Sequence, residues 1–223
     1  MSTDTALVVI DYWKDNEEGL LHKLIADNSA AETPKQLYFL VSHFHEDHYN
    51  PEILEFPDAR LIVSYDAAKR RRMPKQRLNA VLRPDDVFED ECLKINAMHS
   101  TDVGVSLLIT LPDGTTLYHA GDNNNWYFPE DPEEHIRCSI DEMEGLYFAT
   151  LRNVKSLSPK VDHVMFPIDP RLGSETLRGV CQWLMYVKTV RLYPMHCWDR
   201  WDEVRDAVTQ LRELFPEVEF VMP

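Results

Sequence analysis

The sequence predicts a mixed α/β protein in which helices cover layers of β-sheet. Three observations carry this. Apolar runs bounded by polar residues alternate with amphipathic stretches near the amino terminus. A block of strand-like runs without intervening helix occupies the middle, and helix and strand then alternate to the end.

Taken in order, residues 6–10 form a β-rich apolar run that ends at Asp11 and read as a buried strand. Residues 17–26 read as a helix with Leu20, Leu21, Leu24 and Ile25 on one face. Residues 36–41 are a second strand, followed by a polar segment, 42–50. Pro51 suits the first position of a short helical turn. Residues 59–63 read as a strand and 66–73 as a short basic helix. In the middle, 91–98, 103–111 and 115–118 are strands, with Asp113-Gly114 marking a hairpin turn between the last two. A longer helix over 133–154 precedes strand 161–166, helix 174–187, strand 189–193, helix 201–214 and strand 218–221. With no internal repeat and no Gly/Ser-rich linker, one domain spanning residues 1–223 is expected.

Composition narrows the function. With 44% hydrophobic and 27% charged residues the chain can bury a core, and 7 Gly against 14 Pro excludes a collagen-like chain. No apolar run approaches the ~18–20 residues of a membrane span, and the start has no basic segment leading into an apolar one, so neither membrane nor secretion is expected. The balance of 38 acidic against 23 basic residues, a net charge of −15, makes a polyanionic partner such as nucleic acid a poor expectation. A small-molecule substrate suits it better. Cys92, Cys138, Cys181 and Cys197 form no C-x-x-C pair; they read as small buried hydrophobes in a reducing, cytoplasmic compartment.

The strongest signal is Ser42-His43-Phe44-His45-Glu46-Asp47-His48, three histidines and an aspartate within six residues, directly after a strand. In an extended segment, residues two apart point the same way, so His43 and His45 can converge on one point. If the chain then turns, Asp47 and His48 face a second point nearby. Imidazole and carboxylate suit zinc and similar divalent ions. Ligands grouped on one turn lose little extra entropy on binding.

This H-x-H-x-D-H segment resembles the signature of the metallo-β-lactamase superfamily of metal-dependent hydrolases. The resemblance extends over residues 11–196: Asp11 after an early strand, His119-Ala120-Gly121-Asp122 after strand 115–118, and Tyr193-Pro194-Met195-His196 after strand 189–193. It implies a four-layer αβ/βα sandwich, with Asp11 ordering the site, Asp122 bridging two metals and His196 completing the ligand set of His43, His45, Asp47 and His48. One or two divalent ions are implied, zinc foremost, with manganese or iron as alternatives.

Two departures stand out. The family usually begins with a further strand or hairpin, often carrying Gly-His-Ser, but only ten residues precede Asp11; the amino-terminal sheet is expected to be shortened, or the chain begins part-way into it. The family also takes a third ligand for its first metal from a histidine three residues before a glycine, and here Thr101 stands at that place. Asp102, a charged oxygen donor, is the preferred substitute, with Thr101, His99 or a water as alternatives. The Ser-Thr-Asp-x-Gly-x-Ser segment and the His-x-Gly-Asp step look closest to the branch containing ascorbate-6-phosphate lactonase.

The function so implied is a hydrolase using a metal-activated water on a small ester, lactone or similar anionic substrate, with Asp47 and Asp122 at the reacting centre. A phosphodiesterase or nuclease is the alternative in the same class; a non-catalytic metal-binding scaffold is the alternative outside it. Flavodiiron relatives carry Glu where this chain has His45. Around the site, His119 reads either as a residue orienting a ligand or contacting substrate, or as a structural strand end. Arg171 reads as an anion contact or as the partner of Asp169. Trp126, Tyr127, Phe128 and Trp198 are placed to wall a pocket, while Trp201 reads as packing. His22 and His135 read as surface residues and His163 as a core histidine. The basic stretch 69–77, six of the 23 basic residues, reads as a solvated face.

Overall fold

The computed structural model describes residues 1–128 and 139–222. Four parallel strands, β1 (Ala6–Ile10), β2 (Gln36–Val41), β3 (Arg60–Ser64) and β4 (Ala80–Leu82), form one sheet in that order. A second sheet runs β11 (Glu219–Phe220), β10 (Lys188–Met195), β9 (Lys160–Pro167), β8 (Thr116–His119), β7 (Ser106–Thr110), β6 (Lys94–Met98) and β5 (Val87–Glu89). Its first four strands are parallel, and β8 to β5 form an antiparallel meander.

Alternation along the strands creates the layers. Tyr38 and Leu40 of β2 point inward to meet Leu107 and Ile109 of β7, making the core between the sheets. Their neighbours Phe39 and Val41 point outward, packing with Ile25, Ile53 and Ala67 from the segments over the first sheet. Leu108, Tyr118, Val164 and Leu192 point outward from the second sheet, onto α3 (Ile140–Leu157), α4 (Arg178–Tyr186) and α5 (Trp201–Leu214). The result is the four-layer αβ/βα sandwich. No helix among the described residues is long and apolar enough to cross a membrane.

Several boundaries differ from the sequence expectation for identifiable reasons. The first helix, α1, runs Leu20–Ala30, not 17–26, because Gly19 is left-handed and the side chains of Asp15 and Asn16 accept from the amides of Leu20, Leu21 and His22. Its buried stripe is narrower than expected: Ile25 is buried, whereas Leu20 and Leu24 face solvent. The short basic helix, α2, is Tyr65–Arg70, capped by Ser64. α4 starts later than 174 because Gly173, with φ 57°, interrupts the preceding turn Pro170–Glu175. β4 and β5 escape the sequence reading because three residues carry no resolvable period. The expected start of helix 133–154, with His135 and Cys138, lies outside the described residues; α3 itself opens on a Ser139/Glu142 capping box.

His22 lies between two carboxylates on the surface, with Nδ1 2.7 Å from Asp15 and Nε2 2.8 Å from Glu52. These hydrogen bonds raise its pKa above the ordinary imidazole value. A raised folded pKa stabilises the fold fully below the ordinary value of about 6.5, and that contribution is lost as pH rises through the raised value. The difference in thermal midpoint between the unsubstituted protein and His22→Gln is therefore expected to be larger at acidic than at alkaline pH. A pH-independent difference would contradict it.

Candidate metal centre

β1, β2, β8, β9 and β10 are parallel neighbours within their sheets, and shortly beyond their carboxy-terminal ends stand Asp11, His43, Asp122, Asp169 and His196. Loops at such strand ends are where α/β sheets build sites. The loop that delivers His196 is strained: His196, Trp198 and Asp199 all have positive φ, between 50° and 58°.

Two groups of donor atoms result. In the first, His43 Nε2 lies 3.0 Å from His45 Nδ1 and 3.4 Å from Asp122 Oδ2. Asp102 Oδ2 lies 3.4 Å from His45 Nδ1, and the ligand atoms of all four residues fall within 4.8 Å of one another. In the second, His48 Nε2 lies 3.5 Å from Asp47 Oδ2 and 3.4 Å from His196 Nε2. Asp122 joins them: Oδ2 faces the first group, while Oδ1 lies 3.1 Å from His48 Nε2 and 2.6 Å from His196 Nε2.

The protein occupies the rear nitrogen of three imidazoles. Asp11 accepts from the Ser42 amide at 2.7 Å, the Ser42 hydroxyl at 2.6 Å and His48 Nδ1 at 2.8 Å. The Ser42 oxygen is thereby free to accept from His43 Nδ1 at 2.9 Å. His196 Nδ1 donates to buried Asp169 at 3.4 Å. Each of these rings presents Nε2 to the centre, the tautomer a cation needs.

The electrostatics call for positive charge at that point. Burial opposes charging of His48, yet Asp11 and Asp122 push its pKa up; burial likewise opposes His196, which Asp122 and Asp169 push up. Asp122 is buried, which alone would raise its carboxyl, but the facing imidazoles hold it well below the usual range. Its Oδ1 has two ring nitrogens within 3.1 Å and its Oδ2 faces His43, so each oxygen looks into one donor group. Buried acceptors facing one another in this way fit a divalent cation, whose binding displaces protons from such ligands.

Among the three candidates for the irregular position, Asp102 joins the first group. His99 is 61% exposed and turned toward Asp85 at 3.4 Å. The Thr101 hydroxyl donates to the Asn124 carbonyl at 2.6 Å and its amide to the Asn123 side chain at 3.1 Å, tying the Asp102 loop to the Asp122 loop. His119 is buried and its Nδ1 accepts from the Gly121 amide at 3.1 Å, so it holds the turn before Asp122. Burial lowers its pKa, in keeping with a neutral acceptor. Arg171 forms a forked pair with Asp169, stacks 4.5 Å from the Trp198 ring, and is 40% exposed.

Arg171, Trp126, Phe128 and Trp198 line a cavity of about 360 Å³ that reaches His45, Asp102 and Asp122. Trp201 instead lines a neighbouring cavity of about 470 Å³ beside His48 and His119. Tyr127 lies under the Arg178 guanidinium. His163 is half-buried and bonded to the Tyr193 hydroxyl. Cys92, Cys181 and Cys197 are free thiols, and burial pushes Cys197 up to about 12. Sequence reasoning overlooked Ser42, although it directly precedes the histidine cluster. It also overlooked Asn123 and Asn124, whose signal was an amide-rich run immediately after Asp122 that is fully buried.

Solved structures share this architecture. Igni18, a novel metallo hydrolase from the hyperthermophilic archaeon Ignicoccus hospitalis KIN4/I, matches with a TM-score of 0.66 at 16% identity, covering 100% of this chain and 89% of that one. Zn(2+)-bound PqqB from Methylobacterium extorquens matches with a TM-score of 0.56 at 11% identity, covering 97% and 80%. A mutant of the HARLDQ-motif metallo-β-lactamase from Cronobacter sakazakii matches with a TM-score of 0.50 at 16% identity, covering 73% and 69%. No family model matches, and no curated protein gives a significant match. At these identities the likeness is one of fold: the chain has the metallo-β-lactamase fold.

Proposed function

We propose that this chain is a metal-dependent hydrolase of small anionic esters or lactones, with two divalent cations bridged by Asp122. The observation that carries the reading is the buried Asp122 carboxylate, whose Oδ1 faces two imidazole nitrogens while Oδ2 faces two more. His43, His45 and Asp102 would hold the first ion; Asp47, His48 and His196 the second. When bound, such ions supply Lewis-acid activation of water and of the scissile group. Asp47, partly exposed and lining the cavity, is placed to orient the attacking water. Trp126, Phe128 and Trp198 give the cavity aromatic walls, and Arg171, paired with Asp169, sets its guanidinium on the same wall, where it would meet an anionic substituent. The carboxylate at Asp102 makes the first position richer in oxygen than the family's histidine would, which keeps manganese and iron beside zinc as candidates.

Arginines of the basic stretch are engaged by the fold: Arg71 with Phe44, Arg77 with Phe56 and Pro57. This supports a small-molecule substrate over nucleic acid. The test is elemental analysis of protein purified without added metal, followed by a panel of phosphorylated lactones, generic esters and phosphodiesters assayed with zinc and manganese. About two ions per chain are expected; none would sink the reading, and turnover of phosphodiesters alone would replace the substrate class. Asp102→Ala is expected to lose one ion and His99→Ala none; the reverse would displace Asp102 from the ligand set.

A further inference from the structure

We propose that Asp66 and Arg71 are positioning residues that set the bite of His43 and His45 by fixing both peptide groups of the residue between them. The inference rests on the metal-centre reading above. The chain bends at Phe44 and His45, just past β2, and brings His43 Nε2 to 3.0 Å from His45 Nδ1, so the distance between these donor nitrogens depends on the peptides flanking Phe44. Both are held from outside the site. The Phe44 amide donates to Asp66 Oδ2 at 3.1 Å, and Arg71 Nε donates to the Phe44 carbonyl at 2.7 Å. The Arg70 guanidinium lies 5.3 Å from the Phe44 ring, and that of Arg71 lies 5.5 Å from the ring of Tyr49, just past His48. α2 and the residue that caps its end thus grip the ligand segment at its middle and at its far end.

Asp66 is otherwise hard to account for. It is only 7% exposed, and among the described residues no cation pairs with it and its Oδ1 has no hydrogen-bond partner. A carboxylate so buried is costly unless it serves a fixed contact, and the contact it makes is with Phe44. The same assignment gives two residues of the basic stretch a place at the site: Arg70 and Arg71 are directed at the ligand segment.

The test titrates Co(2+) against a chromophoric chelator in the unsubstituted protein and in Asp66→Ala, Asp66→Asn, Arg71→Ala, Asp102→Ala and the control Lys69→Ala, with thermal midpoints recorded alongside. Asp66→Ala and Arg71→Ala are expected to weaken one ion by the ~10–100-fold typical of outer ligand partners. That ion should be the one lost in Asp102→Ala, with the other unchanged. Asp66→Asn, which keeps an acceptor for the Phe44 amide, should recover tight binding, and Lys69→Ala should match the unsubstituted protein. Unchanged affinity in both alanine variants, equal weakening of both ions in step with the thermal midpoint, or no recovery in Asp66→Asn would each overturn the proposal. If Asp66→Ala does not fold, Arg71→Ala and Asp66→Asn decide it. No uptake by the unsubstituted protein would instead overturn the metal-centre reading and this proposal with it; two ions there with unchanged variants would sink the proposal alone.

Discussion

Asp122→Ala is expected to abolish hydrolysis and to release both cations, whereas His119→Ala keeps measurable activity. The difference follows from where the two side chains stand. Asp122 is the one carboxylate in the described residues whose two oxygens face the two donor groups, with Oδ1 2.6 Å from His196 Nε2 and Oδ2 3.4 Å from His43 Nε2. In the proposed centre its removal would take a negative charge from between two cations and leave their repulsion uncompensated, in surroundings where little water can screen it. His119 acts at one remove, accepting from the Gly121 amide and so holding the turn that presents Asp122. Its loss should cost the ~10–100-fold of an outer partner. Metal content by elemental analysis and kcat/KM on whichever ester or lactone the panel identifies measure both. Full activity with two ions retained in Asp122→Ala would remove the bridged arrangement.

What the sequence makes legible here is whatever is written locally. The H-x-H-x-D-H run carries its own geometry, because ligands two apart on a strand end and on the following turn need no tertiary information to be paired. Strands 6–10 and 36–41 and helix 201–214 are found at their true limits because their apolar periods are unbroken. What stays hidden depends on distant contacts. Asp102 is preferred over Thr101 and His99 on its charge alone, because the contacts that decide the position come from the neighbouring loop, where buried Asn123 and Asn124 bind Thr101. For Arg171 the sequence offers substrate or Asp169 as partner; the ion pair is formed, and the stack on Trp198 still sets the guanidinium on the cavity wall. Asp66 gave no signal at all, since a carboxylate in the first turn of a basic helix looks like a surface residue until the ligand segment folds over it.

Gly104→Ala is expected to be strongly damaging, and a series of three glycine substitutions separates its causes. Gly104 has φ +72°, and a Cβ there would lie 2.2 Å from the Ser42 carbonyl oxygen, 2.6 Å from His43 Cβ and 3.0 Å from Asp66 Oδ1. The first two atoms belong to the end of β2, where the Val105 amide donates to that same Ser42 carbonyl at 3.0 Å. An alanine must push the ligand strand away, break this hydrogen bond and shift His43. Gly114 isolates the conformational part: its φ is +86°, and a Cβ would meet nothing within 4 Å. Gly145 isolates the opposite case, a position inside α3 with open space around it. Left-handed backbone costs an alanine roughly 1–2 kcal/mol, and forcing a group into a packed site adds about 1–3 kcal/mol. Removing a glycine from a helix interior gains about 1 kcal/mol. At roughly 2–4 °C per kcal/mol for a chain of this size, Gly145→Ala should raise the thermal midpoint slightly. Gly114→Ala should lower it by a few degrees, roughly 2–8 °C, and Gly104→Ala should lower it further and also weaken metal binding at His43. Equal midpoints for Gly104→Ala and Gly114→Ala would mean that β2 yields freely at Ser42, and that the close approach of the Gly104 loop does not hold the ligand strand in place.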